Sequence, residues 1–399
     1  MNLRTIIKIL SITFITSMAG AQTIWNGTAD TTWYTNDKEA TEYVITTAEQ
    51  LAGLRVLMIN NDYWWNMNNK IIKLGADIIL NDTTNWKEWE NNAPKNSWRP
   101  IRLNGTFDGN GKVISGVYIN SSDENQGLFR LAPGIGTVKN LGVIASFVKG
   151  DIYVGILGGS SISRIVNCYV EGKVIGRGAV GGLIGSNSNT IMNCYSKVEV
   201  YGISGSVGGL VGSNSSSGTI TNSFASGNVL GIHWTGGLVG SNSDGSVINS
   251  YYNKEASEQN DEGKGEPRTT VEMKQKNTYI NWDFNDIWAI DPTKNNGYPY
   301  LQIFENNGNT PILNIKTKNN NPIGFVGTKN GQISLNLKAG NYTVEFYNLQ
   351  GRMINSVNIN AIDGINSISL RNNNLSKGIF ILNIKQTKAS VFKQKIIIK

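Results

Sequence analysis

The chain has 399 residues, with 36 basic and 29 acidic side chains, one histidine, two cysteines and a formal net charge of +7. A single histidine excludes metal sites that need two, and two cysteines exclude a disulfide-rich scaffold. The positive charge is concentrated in residues 309–399, which hold twelve basic and two acidic side chains, whereas residues 22–308 hold 22 basic and 27 acidic ones. Because the excess belongs to the tail, the basic pI does not indicate a nucleic-acid partner, and we expect none.

The first 21 residues have the pattern of a secretory signal peptide. Arg4 and Lys8 precede an apolar stretch that is too short to span a bilayer, and a small-x-small sequence ends at Ala21. We therefore expect cleavage between Ala21 and Gln22, followed by export; a short N-terminal membrane anchor is the alternative. No later run reaches the ~18 apolar residues of a transmembrane helix, so we expect no transmembrane span.

Residues 22–126 are predicted to form an N-terminal cap and the first coils of a repetitive fold. Thr47–Leu51 has the pattern of a capping box before an apolar run, which predicts an amphipathic cap helix. Strands are predicted within Lys70–Leu80 and Gly105–Asn120, with Asp108 in a turn.

The middle of the chain is an internal repeat. The sequence GGLIGSN at Gly181–Asn187 recurs as GGLVGSN at Gly208–Asn214 and Gly236–Asn242. Each period has three short β-prone pieces and no helical periodicity. The period of 27 or 28 residues is too short for a propeller blade and favours one coil of a parallel β-helix. The repeat-motif residues are Gly182, Leu183, Gly185, Gly209, Leu210, Gly212, Gly237, Leu238 and Gly240.

Stacked coils should align equivalent side chains in rows. The leucines of the motif are expected inside, and the glycines before them are expected to supply the positive φ of a tight corner. A row of asparagines should form a structural ladder that is hydrogen-bonded from coil to coil. This row contains Asn140, Asn167, Asn193, Asn222 and Asn249.

The Gly-Leu-Val/Ile-Gly core at this spacing resembles the GLUG repeat, over about Gly127–Tyr252. The resemblance implies the β-helical region of a large secreted bacterial surface protein, a class that includes adhesins and IgA-cleaving metallopeptidases. Peptidase chemistry is not implied here, because the chain has no His-Glu-x-x-His motif. The predicted boundaries are 127–252 for the repeats and 253–305 for a closing segment. The aromatic residues of that segment are expected to plug the last coil.

The tail, residues 311–399, follows a predicted linker at 306–310 and consists of alternating short strands that predict a small β-sandwich. Its hairpin, its strand pattern and its terminal lysine resemble the type A C-terminal sorting domain of Bacteroidota type IX secretion. The resemblance implies recognition by the type IX secretion machinery and export across the outer membrane; an ordinary adhesive module is the alternative. The sorting-signal residues are Gly351, Arg352, Gly378 and Lys399.

Two further rows could do more than support the fold. Cys168 and Cys194 occupy equivalent slots of neighbouring coils, ~4.8 Å apart, so they are either stacked thiols or one disulfide. An aromatic row occupies the adjacent slots. If it points inward it belongs to the core, and if it points outward it is a binding stripe that could stack on sugar rings. Its members are Tyr169, Tyr195, Phe224 and Tyr251.

Other aromatic and titratable side chains give a less specific indication of function. His233 and Trp234 share a coil corner, where a solvated or satisfied histidine is favoured over a catalytic one. Tryptophans of the N-terminal region form either a carbohydrate patch or packing within the cap. These are Trp64, Trp65, Trp86, Trp89 and Trp98.

The sequence thus predicts an all-β chain: a right-handed parallel β-helix with small helical caps, then a small Ig-like β-sandwich. The favoured function is an adhesin-like or structural protein, secreted or attached to the outer-membrane surface, with a glycan or a host surface protein as its partner. The alternative is a polysaccharide lyase or glycosidase. The carboxylates of the repeats occupy non-equivalent positions, so we assign no catalytic residue, metal site or cofactor. These are Asp151, Glu171, Glu199 and Asp244.

Overall fold

The chain divides into two compact units, Met1–Pro311 and Ile312–Lys399. The predicted signal peptide, with Ala21 and Gln22 at its cleavage site, and the predicted linker at 306–310 lie outside the described residues. The computed structural model describes residues 23–59, 67–131, 136–161, 163–215, 217–305, 324–329, 332–337, 339–347, 353–361, 364–369, 378–386 and 389–398. Within these ranges, none of the helices has the length and apolar character needed to cross a bilayer.

The first unit is a β-solenoid of about seven turns, which confirms the predicted all-β solenoid. Equivalent strands of successive coils pair in parallel; Ile165 pairs with Ile191, Ile191 with Ile220, and Ile220 with Val247. The first sheet contains Glu42–Ile45, Ile71–Leu74, Ile78–Ile79, Thr106–Ser115, Tyr118–Asn120, Thr137–Lys149, Arg164–Val166, Tyr169–Gly176, Thr190–Met192, Tyr195–Gly202, Thr219–Thr221, Phe224–Ala225, Val229–Gly231, Ser246–Ile248, Tyr251–Asn253 and Glu266–Arg268.

In the described residues, two further parallel sheets contribute to the coils, the second with six strands and the third with three. Side chains from all three sheets meet in one continuous core, in which each fully buried Leu or Ile contributes roughly 2 kcal/mol. The second sheet contains Ile101–Leu103, Phe129–Leu131, Gly158–Ser161, Ile184–Asn187, Val211–Asn214 and Val239–Asn242, and the third contains Val180–Gly181, Val207–Gly208 and Thr235–Gly236.

The predicted cap helix is present as Ala48–Ile59. The Thr47 hydroxyl accepts a hydrogen bond from the backbone amide of Gln50 (3.2 Å). The side-chain oxygen of Gln50 accepts one from the backbone amide of Thr46 (2.7 Å).

One side of the helix is buried in the solenoid core and contacts Ile101–Leu103, the terminal strand of the second sheet. It therefore covers a sheet edge that would otherwise be open to pairing with another chain. Val56 and Ile59 are exposed, so the helix is less amphipathic than predicted.

The other end of the solenoid is closed by the start of the closing segment, residues 253–305. Glu266–Arg268 adds a strand to the first sheet. The Asp261 carboxylate accepts a hydrogen bond from the Gly237 amide (2.9 Å), and the Lys264 ammonium donates one to the Gly240 carbonyl (2.8 Å). The short elements of the first unit outside its three sheets are Thr32–Thr35, Trp86–Glu88, Lys254–Ser257, Glu272–Lys274, Lys276–Thr278, Asn295–Gly297 and Gln302–Phe304, with the antiparallel pair Trp288–Ala289 and Tyr300–Leu301.

The second unit consists of two antiparallel sheets. Apolar side chains of both sheets, such as Leu335 and Phe346, meet in one buried core. One sheet contains Gly324–Lys329, Gln332–Leu337 and Gly364–Ser369, and the other contains Gly340–Tyr347, Met353–Ala361, Gly378–Gln386 and Ala389–Ile398.

Candidate functional site

The predicted asparagine row lies at a coil corner where the backbone is left-handed. Its five φ angles lie between 45° and 55°. Asn adopts this conformation more readily than other residues with a side chain. The motif glycines Gly182, Gly209 and Gly237 are not among the described residues with positive φ. The expectation that these glycines make the corner is therefore wrong. The corner residues are Asn140, Asn167, Asn193, Asn222 and Asn249.

Side-chain hydrogen bonds run along the first part of this row. The Asn193 amide donates to the Asn167 oxygen (3.1 Å), and the Asn167 amide donates to the Asn140 oxygen (3.1 Å). The Asn140 amide donates to the Asp108 carboxylate (3.0 Å), which ends the series. Asn140, Asn167 and Asn193 thus form a structural ladder that the Asp108 carboxylate terminates, whereas the buried side-chain oxygen of Asn222 has no hydrogen-bond partner among the described residues.

Asp108 lies within the strand Thr106–Ser115, at a local turn. Its carboxylate accepts a hydrogen bond from the Asn110 backbone amide (2.8 Å). Asn110 and Gly111 have positive φ, and the register shifts before Lys112.

The motif glycines are needed for close approach between coils. A Cβ on Gly212 would lie 2.5 Å from the backbone nitrogen of Val180 and 2.6 Å from the carbonyl oxygen of Gly185. A Cβ on Gly209 would lie 2.3 Å from the Gly237 carbonyl oxygen. These neighbours are backbone atoms of other coils, so only glycine fits. The leucine that follows in each motif is fully buried in the core: Leu183, Leu210 and Leu238.

A second asparagine row was not predicted. The Asn187 amide donates to the Asn214 oxygen (2.8 Å), and the Asn214 amide donates to the Asn242 oxygen (2.8 Å). Asn187 and Asn214 are fully buried. The sequence signal for this row is the asparagine that ends each GGLxGSN copy. It was missed because an asparagine next to serine and glycine resembles a loop residue.

The aromatic row points away from the solenoid core, yet it is covered. Its side chains belong to a separate apolar cluster together with aromatic residues of the closing segment. Tyr195, Phe224 and Tyr251 are buried, and Tyr169 is partly buried. Burial raises the pKa of the Tyr195 hydroxyl well above its ordinary value. The row is therefore neither solenoid core nor an open stripe for sugars, and the prediction of a binding stripe is wrong.

The closing segment covers this row by ring packing. Tyr298 stacks on Phe224 with ring centroids 6.1 Å apart, and Trp288 lies 6.1 Å from both Tyr195 and Phe224. The Trp282 indole donates a hydrogen bond to the Asn249 carbonyl (2.8 Å). The aromatic residues of the segment thus lie along the side of several coils, whereas the sequence predicts a plug in the last coil.

An exposed apolar surface occurs elsewhere, between the first and third sheets. Tyr201 pairs with Leu230, and Gly202 with Gly231, so Ile203 and Ile232 follow at equivalent positions of neighbouring coils. Leu230 is 45% exposed, Ile203 60%, Ile232 66% and Trp234 70%. We call this surface the Trp234 strip. Its members are Tyr201, Ile203, Leu230, Ile232 and Trp234.

Two of the four coil carboxylates, Asp151 and Glu171, are engaged in ion pairs. Two guanidinium nitrogens of Arg177, Nε and Nη2, donate to Asp151, at 2.5 and 2.8 Å, and the Lys197 ammonium lies 3.3 Å from the Glu171 carboxylate. The hydrogen bond from Arg177 lowers the pKa of Asp151, whereas a general acid needs a raised pKa. Among the described residues, no group of three His, Cys, Asp or Glu side chains could hold a metal ion.

Two family models match the chain. The GLUG motif matches residues 176–201 and 203–230, and the secretion system C-terminal sorting domain matches residues 329–399. The protein is a GLUG-motif solenoid with a C-terminal sorting domain. Both resemblances noted in the sequence are thereby confirmed.

Two curated proteins are similar to parts of this GLUG protein. A putative Gly-rich membrane protein of Evansella cellulosilytica is 34% identical over 98 residues, which is 22% of this chain and 11% of that protein. Halomucin of Haloquadratum walsbyi is 29% identical over 179 residues, which is 42% of this chain and 2% of that protein. The chain thus spans a small part of the length of either relative. No solved structure matches it.

The sorting domain directs the GLUG protein through type IX secretion to the cell surface or the medium, as predicted. It implies recognition by that secretion machinery. Among the predicted sorting-signal residues, Gly378 begins the strand Gly378–Gln386. Gly351, Arg352 and Lys399 lie outside the described residues.

The tryptophans near the N-terminus serve mainly in packing. Trp89 and Trp98 are buried; Trp89 contacts Tyr118 edge-on at 5.9 Å, and the Trp98 indole donates to the Leu128 carbonyl (3.2 Å). Trp86 is partly buried against the same cluster as Trp89. The predicted pair Trp64 and Trp65 lies outside the described residues. The described members thus favour the packing interpretation.

Cys168 and Cys194 are buried free thiols, so of the two predicted alternatives the structure shows the stacked pair and not the disulfide. Each thiol donates to the carbonyl two residues earlier, Val166 or Met192, at 3.3 Å. Burial raises the pKa of the Cys168 thiol well above its ordinary value.

We expect neither thiol to react with Ellman's reagent in the folded protein, because a buried neutral thiol is a poor nucleophile. Both should react once guanidinium unfolds the chain. The measurement is the absorbance of the released thionitrobenzoate before and after unfolding. If the unfolded, unreduced protein has no reactive thiol, the two cysteines form a disulfide, and the structure is contradicted.

Proposed function

We propose that the exported protein is an adhesin-like binding protein, in which the GLUG solenoid is a rigid scaffold and the Trp234 strip is the contact surface. The mature body would be residues 22–305, with a right-handed coil. The tail would be an Ig-like sandwich that serves export. The candidate partners are a glycan and a host surface protein.

The exposure of the Trp234 strip is the observation that carries this proposal. The cap helix covers one end of the solenoid, and the closing segment covers the aromatic row. Other large apolar side chains are exposed, among them Ile59 and Val271, but the strip places five side chains at neighbouring positions of two coils. An exposed apolar patch of this kind is typical of an interaction site. The carboxylates of Asp151 and Glu171 are held in ion pairs, which favours binding over hydrolysis at these two coils.

The test is attachment of purified full-length protein to cell surfaces, comparing Ile232→Asp with Val271→Asp. Val271 is 67% exposed and lies outside the strip, so it is a matched control. We expect Ile232→Asp to reduce attachment about ten-fold, since a charge at the centre of an apolar contact costs over ~1 kcal/mol. Val271→Asp should leave attachment unchanged.

Equal attachment of both variants and the wild type would contradict the proposal. Release of reducing ends from a polysaccharide by the wild-type protein would instead favour the alternative, a lyase or glycosidase on the same scaffold.

A further inference from the structure

Trp234 combines an unusual backbone conformation with a largely exposed side chain. Its φ is 40°, in the left-handed region, which is an outlier for a bulky side chain. The equivalent residues, which precede Val180 and Val207 in the two earlier coils, are Ala179 and Ser206. Trp234 is the most exposed large apolar side chain of the described residues. Burial of the Trp234 side chain therefore does not offset the backbone strain. Strained backbone conformations of this kind concentrate at functional sites.

The size of the Trp234 strip favours a ligand smaller than a protein. If each fully exposed large side chain has an accessible surface of about 200 Å², the exposed fractions of the five side chains give the strip an accessible surface of roughly 500 Å². A stable protein–protein interface needs about 800 Å² from each partner. Tyr201 and Leu230 are held in place by strands paired from coil to coil. Ile203, Ile232 and Trp234 lie in the bends that follow these strands. A narrow apolar surface of this kind suits a chain of rings.

Charge around the strip favours a neutral ligand. The strip itself contains no charged side chain, and the charged groups next to it, one ammonium and two carboxylates, disfavour an anionic ligand. The Lys173 ammonium lies 4.7 Å from the centre of the Tyr201 ring and 2.6 Å from the Glu90 carboxylate. The Tyr201 hydroxyl donates to the Glu199 carboxylate (3.4 Å). Together with the exposed His233, these polar groups could bind hydroxyl groups at the edge of an apolar contact.

We propose that the Trp234 strip binds the ring faces of a neutral polysaccharide, with Trp234 as the anchoring side chain. Sugar rings have apolar faces and hydroxyl-bearing edges, and this pattern matches an aromatic and aliphatic strip with a polar rim. The inference rests on the proposed function and names its partner.

The test is affinity electrophoresis of full-length protein through gels that contain xylan, galactomannan, a mixed-linkage glucan or the anionic polygalacturonate. At least one neutral polysaccharide should retard the wild type. Trp234→Gly should bind about ten-fold more weakly, and Trp234→Phe should retain part of the affinity. Val271→Ala, the exposed control outside the strip, should bind as the wild type does.

Stability separates a binding defect from a folding defect. Because glycine adopts positive φ without strain, Trp234→Gly should unfold at a higher temperature than the wild type while binding more weakly. Equal retardation of the two proteins, retardation by polygalacturonate alone, or no retardation in any gel would overturn the inference. If Ile232→Asp still prevents attachment to cells in that case, the proposed function stands and its ligand is not a neutral polysaccharide.

Discussion

Replacing Gly212 by alanine is expected to destabilise the solenoid by roughly 4 kcal/mol, near the upper limit for a single substitution. The new Cβ would lie 2.5 Å from the Val180 nitrogen and 2.6 Å from the Gly185 oxygen. Both are backbone atoms held in coil-to-coil pairing, so neither can move without breaking hydrogen bonds. The shift should appear as a lower midpoint in chemical unfolding of the full-length protein.

Gly263→Ala is the matched control for Gly212→Ala. Gly263 has φ of 76°, and a Cβ added there would meet no atom within 4 Å, so alanine costs only the backbone strain, about 1 kcal/mol. If the two variants lose equal stability, the motif glycines do not serve close approach between coils.

Asn214→Asp is expected to cost about 4 kcal/mol at neutral pH, because it buries an unpaired charge. The Asn214 amide now donates to Asn242 (2.8 Å) and to the Gly218 carbonyl (3.2 Å). A carboxylate would face both acceptors without a proton to offer. Asn242→Asp is the matched control: it loses the hydrogen bond from the Asn242 amide to the Gly245 carbonyl (2.8 Å), but Asn242 is half-buried, so water can solvate the new carboxylate; we expect about 1 kcal/mol there.

The cost of Asn214→Asp should depend on pH. Burial would raise the pKa of the new carboxyl in the folded state above about 3.9, its value in the unfolded chain. Folding then binds a proton, so the variant is most stable below about pH 4 and loses stability as pH rises toward the folded-state pKa. Urea unfolding at several pH values measures this. A cost that does not change with pH would contradict the buried ladder.

The period of the sequence predicts the coils because pairing in a solenoid is local. A slip of one residue would turn Ile191 or Ile220 out of the core, so the repeat sets the register. The spacing of the asparagines predicts that they stack in a row. It does not predict that they occupy a corner with a left-handed backbone, because residue spacing carries no information on φ. The role of the glycines was misassigned for the same reason.

Contacts between the repeats and non-repeating segments were harder to predict. Alternation in Tyr169–Gly176 places Val170 and Val174 inside, which would have indicated that Tyr169 points outward. Nothing in the period indicates that Trp288, far along the chain in the closing segment, would cover that row. The strip was missed because Ile203, Ile232 and Trp234 lie between motifs, where the repeat is least regular.

Hydroxyl-radical footprinting of the full-length protein tests the central claim most directly, namely that the Trp234 strip is the open surface and the aromatic row is closed. Radical oxidation follows side-chain exposure, and mass spectrometry measures it residue by residue. The account predicts rapid oxidation of Trp234 and slow oxidation of Tyr195, Phe224 and Trp288. Oxidation of the covered row at the rate of Trp234 would contradict it.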